Sequence, residues 1–241
     1  QWTGTGGNIK NCQNYGNLQT TYEQGWFGAS AGIVAQLYHA YEDNEYNIIS
    51  CDNFGNLYGR TGESKNNCAN DSAGILGNVT NYEITDEKKS PKYTIQVLDC
   101  VNGPKVKIYS ASMASGVVGF FSMDNVDVVE KKKGIKEASN QVKAATANVK
   151  LRIERCQNYA QVLSGRQFAS GIFGDRYGKT GCENTILTNC YSVSTNQYSH
   201  GNNPIYSFAG SNGDGNPDYM KPENRVNNYF LRSAGTSVVS F

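Results

Sequence analysis

Histidine, proline and long apolar runs are scarce in this sequence, and two of these shortages exclude a class of protein. The 241 residues hold two histidines, His39 and His200, and no C-x-x-C pair, so a zinc-finger pattern is absent. No run approaches the ~20 apolar residues that a membrane-spanning helix needs. Lys+Arg at 22 and Asp+Glu at 21 nearly cancel. Proteins dedicated to nucleic acids or membrane surfaces need a positive field, so we expect neither partner.

Residues typical of strands and turns are abundant instead. The chain has 26 glycines against 5 prolines, a ratio that indicates many turns and close backbone approaches. Leucine is sparse, whereas Asn, Gly, Ser and Val are common, which favours strands and turns over helices. The 16 tyrosines add side chains that are apolar along the ring and polar at the tip. This composition predicts an all-β protein.

A short pattern recurs along the chain: an apolar residue, then a cysteine, then an asparagine two residues later. Its last copy has Ser192 in the place of the asparagine. The copies are IKNCQNYGNL (9–18), IISCDNFGNL (48–57), VLDCVNGPKV (97–106), IERCQNYAQV (153–162) and LTNCYSVS (187–194), which contain Cys12, Cys51, Cys100, Cys156 and Cys190 with Asn14, Asn53, Asn102 and Asn158. Gln1 lies within such a repeat, so we expect the chain to be part of a longer protein.

A second pattern, a small residue and glycine followed by apolar residues, alternates with the first. The copies are SAGIVA (30–35), SAGILG (72–77), ASGVVG (114–119) and ASGIFG (169–174), with Gly32, Gly74, Gly116 and Gly171. Each pattern is short, β-prone and bounded by Gly or Asn, so each is predicted to form a strand. A stack of similar units, unlike a set of hairpins, requires each copy to repeat the same residues.

In such a stack, equivalent residues lie about 4.8 Å apart in neighbouring units. The cysteines would form a buried apolar column, because a buried free thiol behaves as a small hydrophobe. The asparagines would hydrogen-bond to one another along the stack. We expect these thiols to stay reduced and structural rather than catalytic. Cys68 and Cys182 fall outside the column, and whether they pair is left open.

The paired copies CQNYGNL…SAGIVA and CDNFGNL…SAGILG resemble the GLUG-type repeats of bacterial surface proteins, including the non-catalytic part of IgA-specific metallopeptidases. The resemblance covers roughly residues 9–195. It implies a right-handed parallel β-helix that is secreted and displayed on the cell surface. We expect repeat units with insertions over residues 1–195, and a C-terminal unit or cap of the same domain over residues 196–241.

Aromatic residues cluster in the insertions after the first copy of each pattern. They are Tyr22, Trp26, Phe27, Tyr38, Tyr41 and Tyr46. Aromatic side chains at this density outside a core are typical of an interface anchor. They also suit a segment that folds back over the strands, so interface and local packing remain open alternatives.

Two other insertions differ from the first in character. Ile135, Ala138, Val142, Ala145 and Val149 are spaced by 3 and 4 residues, which predicts a short amphipathic helix near residues 133–149. Residues 77–93 are polar and charged and are predicted to form a loop.

The C-terminal region contains the alternating polar run SNGDGNPDYMKPE. Asn212, Asp214, Asn216 and Asp218 alternate, and Glu223 stands where an EF-hand-like loop has its last ligand. Asn212 replaces the usual first Asp, and Pro217 replaces the usual Gly. A polar turn is therefore an alternative to a calcium site. The final RSAGTSVVSF could supply a closing strand, which the end of a stack requires.

The residues that a polysaccharide lyase or glycosidase needs are not aligned along the repeats. Asp52, Asp99 and Glu154 hold different positions relative to their cysteines, so we do not expect a carboxylate cluster. G-x-S-x-G, H-E-x-x-H and P-loop motifs are absent, and neither histidine lies near a nucleophile signature.

The sequence therefore favours a non-catalytic binding module, an adhesin that holds a host protein. An immunoglobulin is one partner that the resemblance suggests, by analogy alone. No cofactor is expected apart from the calcium considered above. A carbohydrate-binding or polysaccharide-degrading domain and a passive stalk are the alternatives.

Overall fold

The computed structural model describes residues 2–4, 6–19, 28–40, 44–58, 70–80, 93–110, 113–122, 149–164, 169–176, 185–193, 197–199, 205–206, 222–231 and 238–240. This part of the chain is nearly all β-strand, with a single 3-10 turn at Pro222–Asn224. Within these ranges we find no helix with the length and apolar character that crossing a membrane requires.

The strands form five sheets, numbered here in the order in which the chain first reaches them from Gly7. Sheet 1 contains β2 (Gly7–Lys10), β7 (Asn44–Ile49), β12 (Tyr93–Leu98), β17 (Val149–Glu154) and β22 (Thr185–Thr188). Sheet 2 contains β3 (Gln13–Asn14), β8 (Asp52–Asn53), β13 (Val101–Asn102), β18 (Gln157–Asn158), β23 (Tyr191–Ser192), β26 (Tyr229–Leu231) and β27 (Val238–Ser240). Sheet 3 contains β4 (Leu18–Gln19), β9 (Leu57–Tyr58), β14 (Lys107–Ser110), β19 (Gln161–Ser164) and β24 (Gln197–Ser199).

Two further sheets complete the set. Sheet 4 contains β5 (Gly28–Ala31), β10 (Asn70–Ala73), β15 (Met113–Ser115), β20 (Ala169–Ser170) and β25 (Ile205–Tyr206). Sheet 5 contains β1 (Trp2–Gly4), β6 (Val34–Ala40), β11 (Leu76–Thr80), β16 (Val118–Ser122) and β21 (Phe173–Arg176).

From β1 to β25, each strand pairs with the strands five places before and after it in chain order. One strand from each sheet in sequence therefore makes a repeat unit: unit 1 is β2–β6, unit 2 is β7–β11, unit 3 is β12–β16, unit 4 is β17–β21, and unit 5 begins at β22. The pairings are parallel, as between β7 and β12 or between β8 and β13. The antiparallel exception among the described strands is β27, which pairs with β26. The predicted all-β class and the predicted parallel pairing of like segments are both confirmed.

The expectation that each pattern forms one strand is wrong. The cysteine pattern bends between sheet 1 and sheet 2, because the residue before each cysteine has a left-handed backbone. These residues are Asn11, Ser50, Asp99, Arg155 and Asn189, and Asn227 repeats the geometry, with φ between 52° and 56° in all six. The second pattern bends at its glycine, between sheet 4 and sheet 5. Each unit therefore has five strands rather than two.

Apolar residues in register fill the interior of the stack. Ile9, Ile48, Val97, Ile153 and Leu187 stand in one column of sheet 1. Leu57, Ile108 and Val162 do the same in sheet 3 and are fully buried. Burial of a side chain of this size contributes about 1.5–3 kcal/mol, so these columns carry much of the stability.

The predicted helix and the predicted loop lie largely outside the described residues. Val149, the last residue of the predicted helical face, opens strand β17 instead. Residues 77–80 belong to β11 and Tyr93 opens β12, so the predicted loop is wrong at both of its ends. The expected boundary at residue 195 falls between β23 and β24, and the five-place pairing continues across it through β24 and β25.

Candidate functional site: an exposed aromatic stripe on sheet 2

The asparagine ladder predicted from the sequence is present and sets the geometry of sheet 2. Asn14 Nδ2 donates to Asn53 Oδ1 at 2.8 Å, Asn53 Nδ2 to Asn102 Oδ1 at 2.8 Å, and Asn102 Nδ2 to Asn158 Oδ1 at 2.9 Å. The ladder ends at Ser192, whose Oγ accepts from Asn158 Nδ2 at 3.4 Å. Because these amides point inward, the residues on either side of each asparagine are directed to the outer face.

The glycines of the second pattern lie directly against this ladder. A Cβ added at Gly74 would lie 2.7 Å from Asn102 Cγ, and one at Gly116 would overlap the side chain of Asn158. Gly32 N donates to Gly74 O at 3.0 Å and Gly74 N to Gly116 O at 3.1 Å. Two patterns that are distant in sequence therefore meet in the interior, where only glycine leaves room for the amides.

The predicted column of reduced cysteines is also confirmed. Cys51, Cys100, Cys156 and Cys190 are buried and free, and Cys12 is free and exposed at one end of the column. Each buried thiol donates to main-chain carbonyls, as Cys100 Sγ does to Leu98 O at 3.2 Å. Burial raises the pKa of Cys156. The Cys100 thiol, together with burial, raises the pKa of Cys51. Thiols in this state are poor nucleophiles, which fits a structural role.

Aromatic residues line the outer side of sheet 2 on both sides of the ladder. We call this set the aromatic stripe; it consists of Tyr15, Phe54, Tyr159, Tyr191 and Tyr229. Four of them are strongly exposed: Tyr15 by 70%, Tyr229 by 42%, Phe54 by 38% and Tyr159 by 36%. They belong to units 1, 2 and 4 and to β26, so with strands about 4.8 Å apart the stripe is about 24 Å long.

Ring contacts and hydrogen bonds hold the stripe in place. Tyr15 stacks on Phe54 with ring centroids 5.2 Å apart and an interplanar angle of 17°, and Tyr159 meets Tyr191 edge-on at 6.1 Å. Phe54 lies over Gly103, where a Cβ would overlap its ring. The missing side chain at Gly103 therefore lets Phe54 extend the stripe across unit 3.

The polar groups beside the rings are bonded to one another. Tyr15 Oη donates to Gln13 Oε1 at 3.0 Å, and Tyr159 Oη donates to Gln157 Oε1 at 2.7 Å. Gln13 Nε2 in turn donates to Asp52 Oδ2 at 3.3 Å. These bonds fix the tyrosines in one orientation, so a partner would meet a preorganised surface.

A charged cluster lies at the bend between sheets 1 and 2. Arg155 binds Asp99 through two bonds, Nε–Oδ1 at 2.6 Å and Nη2–Oδ2 at 2.8 Å, and also pairs with Glu154, which pairs with Arg152. The bound guanidinium lowers the pKa of Asp99, and Asp99 raises the pKa of Arg155. The expectation that these carboxylates stay apart is wrong for Asp99 and Glu154, because the positions before and at the bend are neighbours in adjacent units.

The predicted aromatic interface lies mostly outside the described residues, which is the case for Tyr22, Trp26, Phe27 and Tyr41. Tyr38 falls within β6. Tyr46 is fully buried, and its ring packs edge-on against Trp2 at 5.3 Å. Local packing, one of the two alternatives, therefore describes Tyr46, which has no surface to offer a partner.

Most of the predicted calcium ligands also lie outside the described residues: Asn212, Asp214, Asn216 and Asp218. Glu223 lies in the 3-10 turn and is exposed. Among the residues that the structure does describe, no group of three or more His, Cys, Asp or Glu side chains is placed to hold a metal ion.

The sequence reading missed the stripe because its members do not share one repeat position. Tyr15, Phe54 and Tyr159 follow the ladder asparagine, whereas Tyr191 and Tyr229 precede the equivalent residue. It also missed a sixth copy of the pattern, in which Asn228 replaces the cysteine and Tyr229 pairs with Tyr191. An aromatic residue within one position of each ladder residue was the available signal.

Comparison with known proteins finds no matching family model, no matching curated protein and no matching solved structure.

Proposed function

We propose that this chain is a non-catalytic binding module of adhesin type from a bacterial surface protein, and that its aromatic stripe holds a host protein. The proposal includes the finer fold, a right-handed parallel β-helix in which each repeat unit is one coil. The pairing of each strand with those five places away supports this fold, since a chain that winds continuously pairs in that way. The resemblance to GLUG-type repeats supports secretion and display at the cell surface.

The exposed rings of the stripe carry the functional proposal. Contiguous exposed aromatic surface on a soluble scaffold marks interaction sites, and tyrosine is enriched at the centre of protein interfaces. The rings are held by mutual contacts and by bonds to Gln13 and Gln157, so binding costs little side-chain entropy. Tyrosine-rich recognition of this kind suits a protein partner. An immunoglobulin is the first candidate, on the analogy with IgA-peptidase-like proteins.

The charged groups near the stripe support binding rather than turnover. Asp99 and Glu154 are both paired with Arg155, and Asp52 accepts bonds from Gln13 and from the Val101 N–H. A glycosidase needs one carboxylate that can donate a proton and another that remains available as base or nucleophile. Carboxylates that are fixed in ion pairs and hydrogen bonds fit a structural role better.

The test is a binding screen of the chain against host serum and mucosal proteins, immunoglobulins first. We expect Tyr15→Ala with Tyr159→Ala to weaken binding by tenfold or more, because truncating an interface anchor costs about 2 kcal/mol. Val226→Ala is the matched control, since Val226 is 43% exposed and lies off the stripe. Full binding by the double variant would remove the stripe from the proposal.

The aromatic insertions remain a second prediction for the same function. Trp26→Ala and Tyr41→Ala weaken binding if that segment contacts the partner, and they leave it unchanged if the stripe acts alone. The screen should include both variants.

Carbohydrate binding is the alternative that the stripe also favours, because sugar rings stack on aromatic side chains beside amides and carboxylates such as Gln157 and Asp52. An oligosaccharide array distinguishes the two. Retention of a glycan that the double variant loses would replace the protein partner, and turnover of that glycan would replace the non-catalytic assignment. Absence of any ligand in both screens would favour a passive stalk.

A further inference from the structure

The two ends of the stack of units differ, and the end at unit 1 is open. Cys12 is exposed, whereas the equivalent Cys51 is fully buried. Leu18 is 39% exposed, whereas Leu57, its partner in register, is 0% exposed. The same residue types are thus apolar and covered in unit 2, and apolar and uncovered in unit 1.

The ladder is also open at this end. Asn53 Oδ1 accepts both the Gly55 N–H and the amide of Asn14. Asn14 Oδ1 accepts the Gly16 N–H in the same way. The position above Asn14 is therefore the one from which another asparagine amide would donate, in the geometry already used between units 1 and 2.

The opposite end is closed by different chemistry. Asn228 takes the place of a cysteine, its Oδ1 accepts the Cys190 N–H at 3.0 Å, and its Nδ2 donates to Leu187 O at 2.6 Å. Beyond it, β27 pairs antiparallel with β26 and covers the edge of sheet 2. A terminal unit with distinct residues is what the end of a repeat array requires, and unit 1 lacks such residues.

We propose that the surface formed by Cys12, Asn14, Tyr15 and Leu18 is an interface for a further repeat unit of the same Cys-x-Asn type, supplied by the polypeptide ahead of unit 1 and paired in parallel with it. The five parallel ladders continue directly onto these edges, so the interface is the one already present between each pair of units. A second copy does not fit, since a two-fold arrangement would reverse the strand direction and a head-to-tail copy would present the edge closed by β27. The binding role of the stripe is independent of this assignment.

Alkylation of Cys12, followed by peptide mass spectrometry, tests the proposal. In the chain as given, we expect Cys12 to react with a maleimide while Cys51, Cys100, Cys156 and Cys190 do not. An extended chain carries a second copy of residues 93–122, which contain one complete unit, ahead of Gly7. In this chain the Cys12 rate should fall about 100-fold or more, because a covered residue reacts only after local opening.

The matched control is the same extension with Gly116→Val in the added copy, which blocks the contact between glycine and ladder. This control should leave Cys12 as reactive as in the chain as given. An extension that folds by circular dichroism but leaves Cys12 reactive would overturn the proposal. So would protection of Cys12 in the chain as given, together with a dimer in sedimentation, since a second copy would then cover this end. In the intact polypeptide from its source cells, we expect Cys12 to be protected without any extension.

Discussion

The buried amide ladder shows how much one side chain can determine in this molecule. Asn102 lies at the centre of the ladder, with no solvent exposure, accepting from Asn53 and donating to Asn158. Removal of this amide leaves a donor on one neighbour and an acceptor on the other without their ladder partner. A buried polar group that loses its partner costs about 1–3 kcal/mol.

We therefore expect Asn102→Ala to lower the free energy of unfolding by about 2–3 kcal/mol. Denaturant titration followed by circular dichroism measures this difference. Asn14→Ala is the control, because Asn14 lies at the open end and makes a single ladder bond, so its loss should cost about 1 kcal/mol or less. Equal losses for the two variants would contradict the cooperative ladder.

The ion pair between Asp99 and Arg155 predicts a small dependence of stability on pH. Since Arg155 makes the pKa of Asp99 lower in the folded chain than in the unfolded one, its contribution is complete above the unfolded value of about 3.9. It is lost as pH falls through the folded value. Both side chains are well exposed, 48% for Arg155 and 39% for Asp99, so solvent limits the contribution to about 1 kcal/mol or less.

Comparison of the wild-type chain with Asp99→Asn at several pH values tests this prediction. The difference in unfolding free energy should be present at pH 6 and should vanish as the pH approaches 2. It should also shrink in high salt, which screens exposed ion pairs. A difference that persists at low pH would assign the effect to packing rather than to charge.

The bends between strands explain what the sequence could and could not predict. Cysteine and asparagine recur because each fills one interior position, and that repetition is legible without coordinates. The left-handed residue before each cysteine is not, because Asn, Ser, Asp and Arg all occupy it and share only a backbone geometry. Asn228 was missed for a related reason: it takes the cysteine position with different hydrogen bonds.

The glycines of the second pattern carry a prediction about how the strands pack. A Cβ at Gly116 would overlap Gly171 O and the side chain of Asn158, whereas a Cβ at Gly16 has Asn14 Oδ1 at 3.6 Å as its nearest neighbour. We expect Gly116→Ala to cost about 3 kcal/mol or more, and Gly16→Ala to stay within about 1 kcal/mol.

Thermal and denaturant unfolding of the two glycine variants provide the measurement. If Gly116→Ala yields no folded chain while Gly16→Ala folds normally, the comparison still supports the close contact. Similar stability of both variants would mean that sheets 4 and 5 can move away from the ladder.

The whole stack depends on how its last unit is closed. Asn228 is fully buried and bridges Cys190 and Leu187, so Asn228→Leu removes a donor and an acceptor together. We expect this change to cost about 2–3 kcal/mol and to expose Cys190 to alkylation. Asn227→Gly serves as the control, since glycine adopts the φ of 55° at that position without penalty. Loss of stability in the control alone would place the closure in the bend rather than in the amide.

The ladder is indifferent to the amount of chain between its members. Its successive partners are separated by 39, 49, 56 and 34 residues, yet the donor–acceptor distances stay at 2.8, 2.8, 2.9 and 3.4 Å. Segments of very different length can therefore be accommodated between strands without altering the wall that they leave and re-enter. Such a molecule would tolerate a foreign peptide grafted between two units, and could carry it as a display scaffold.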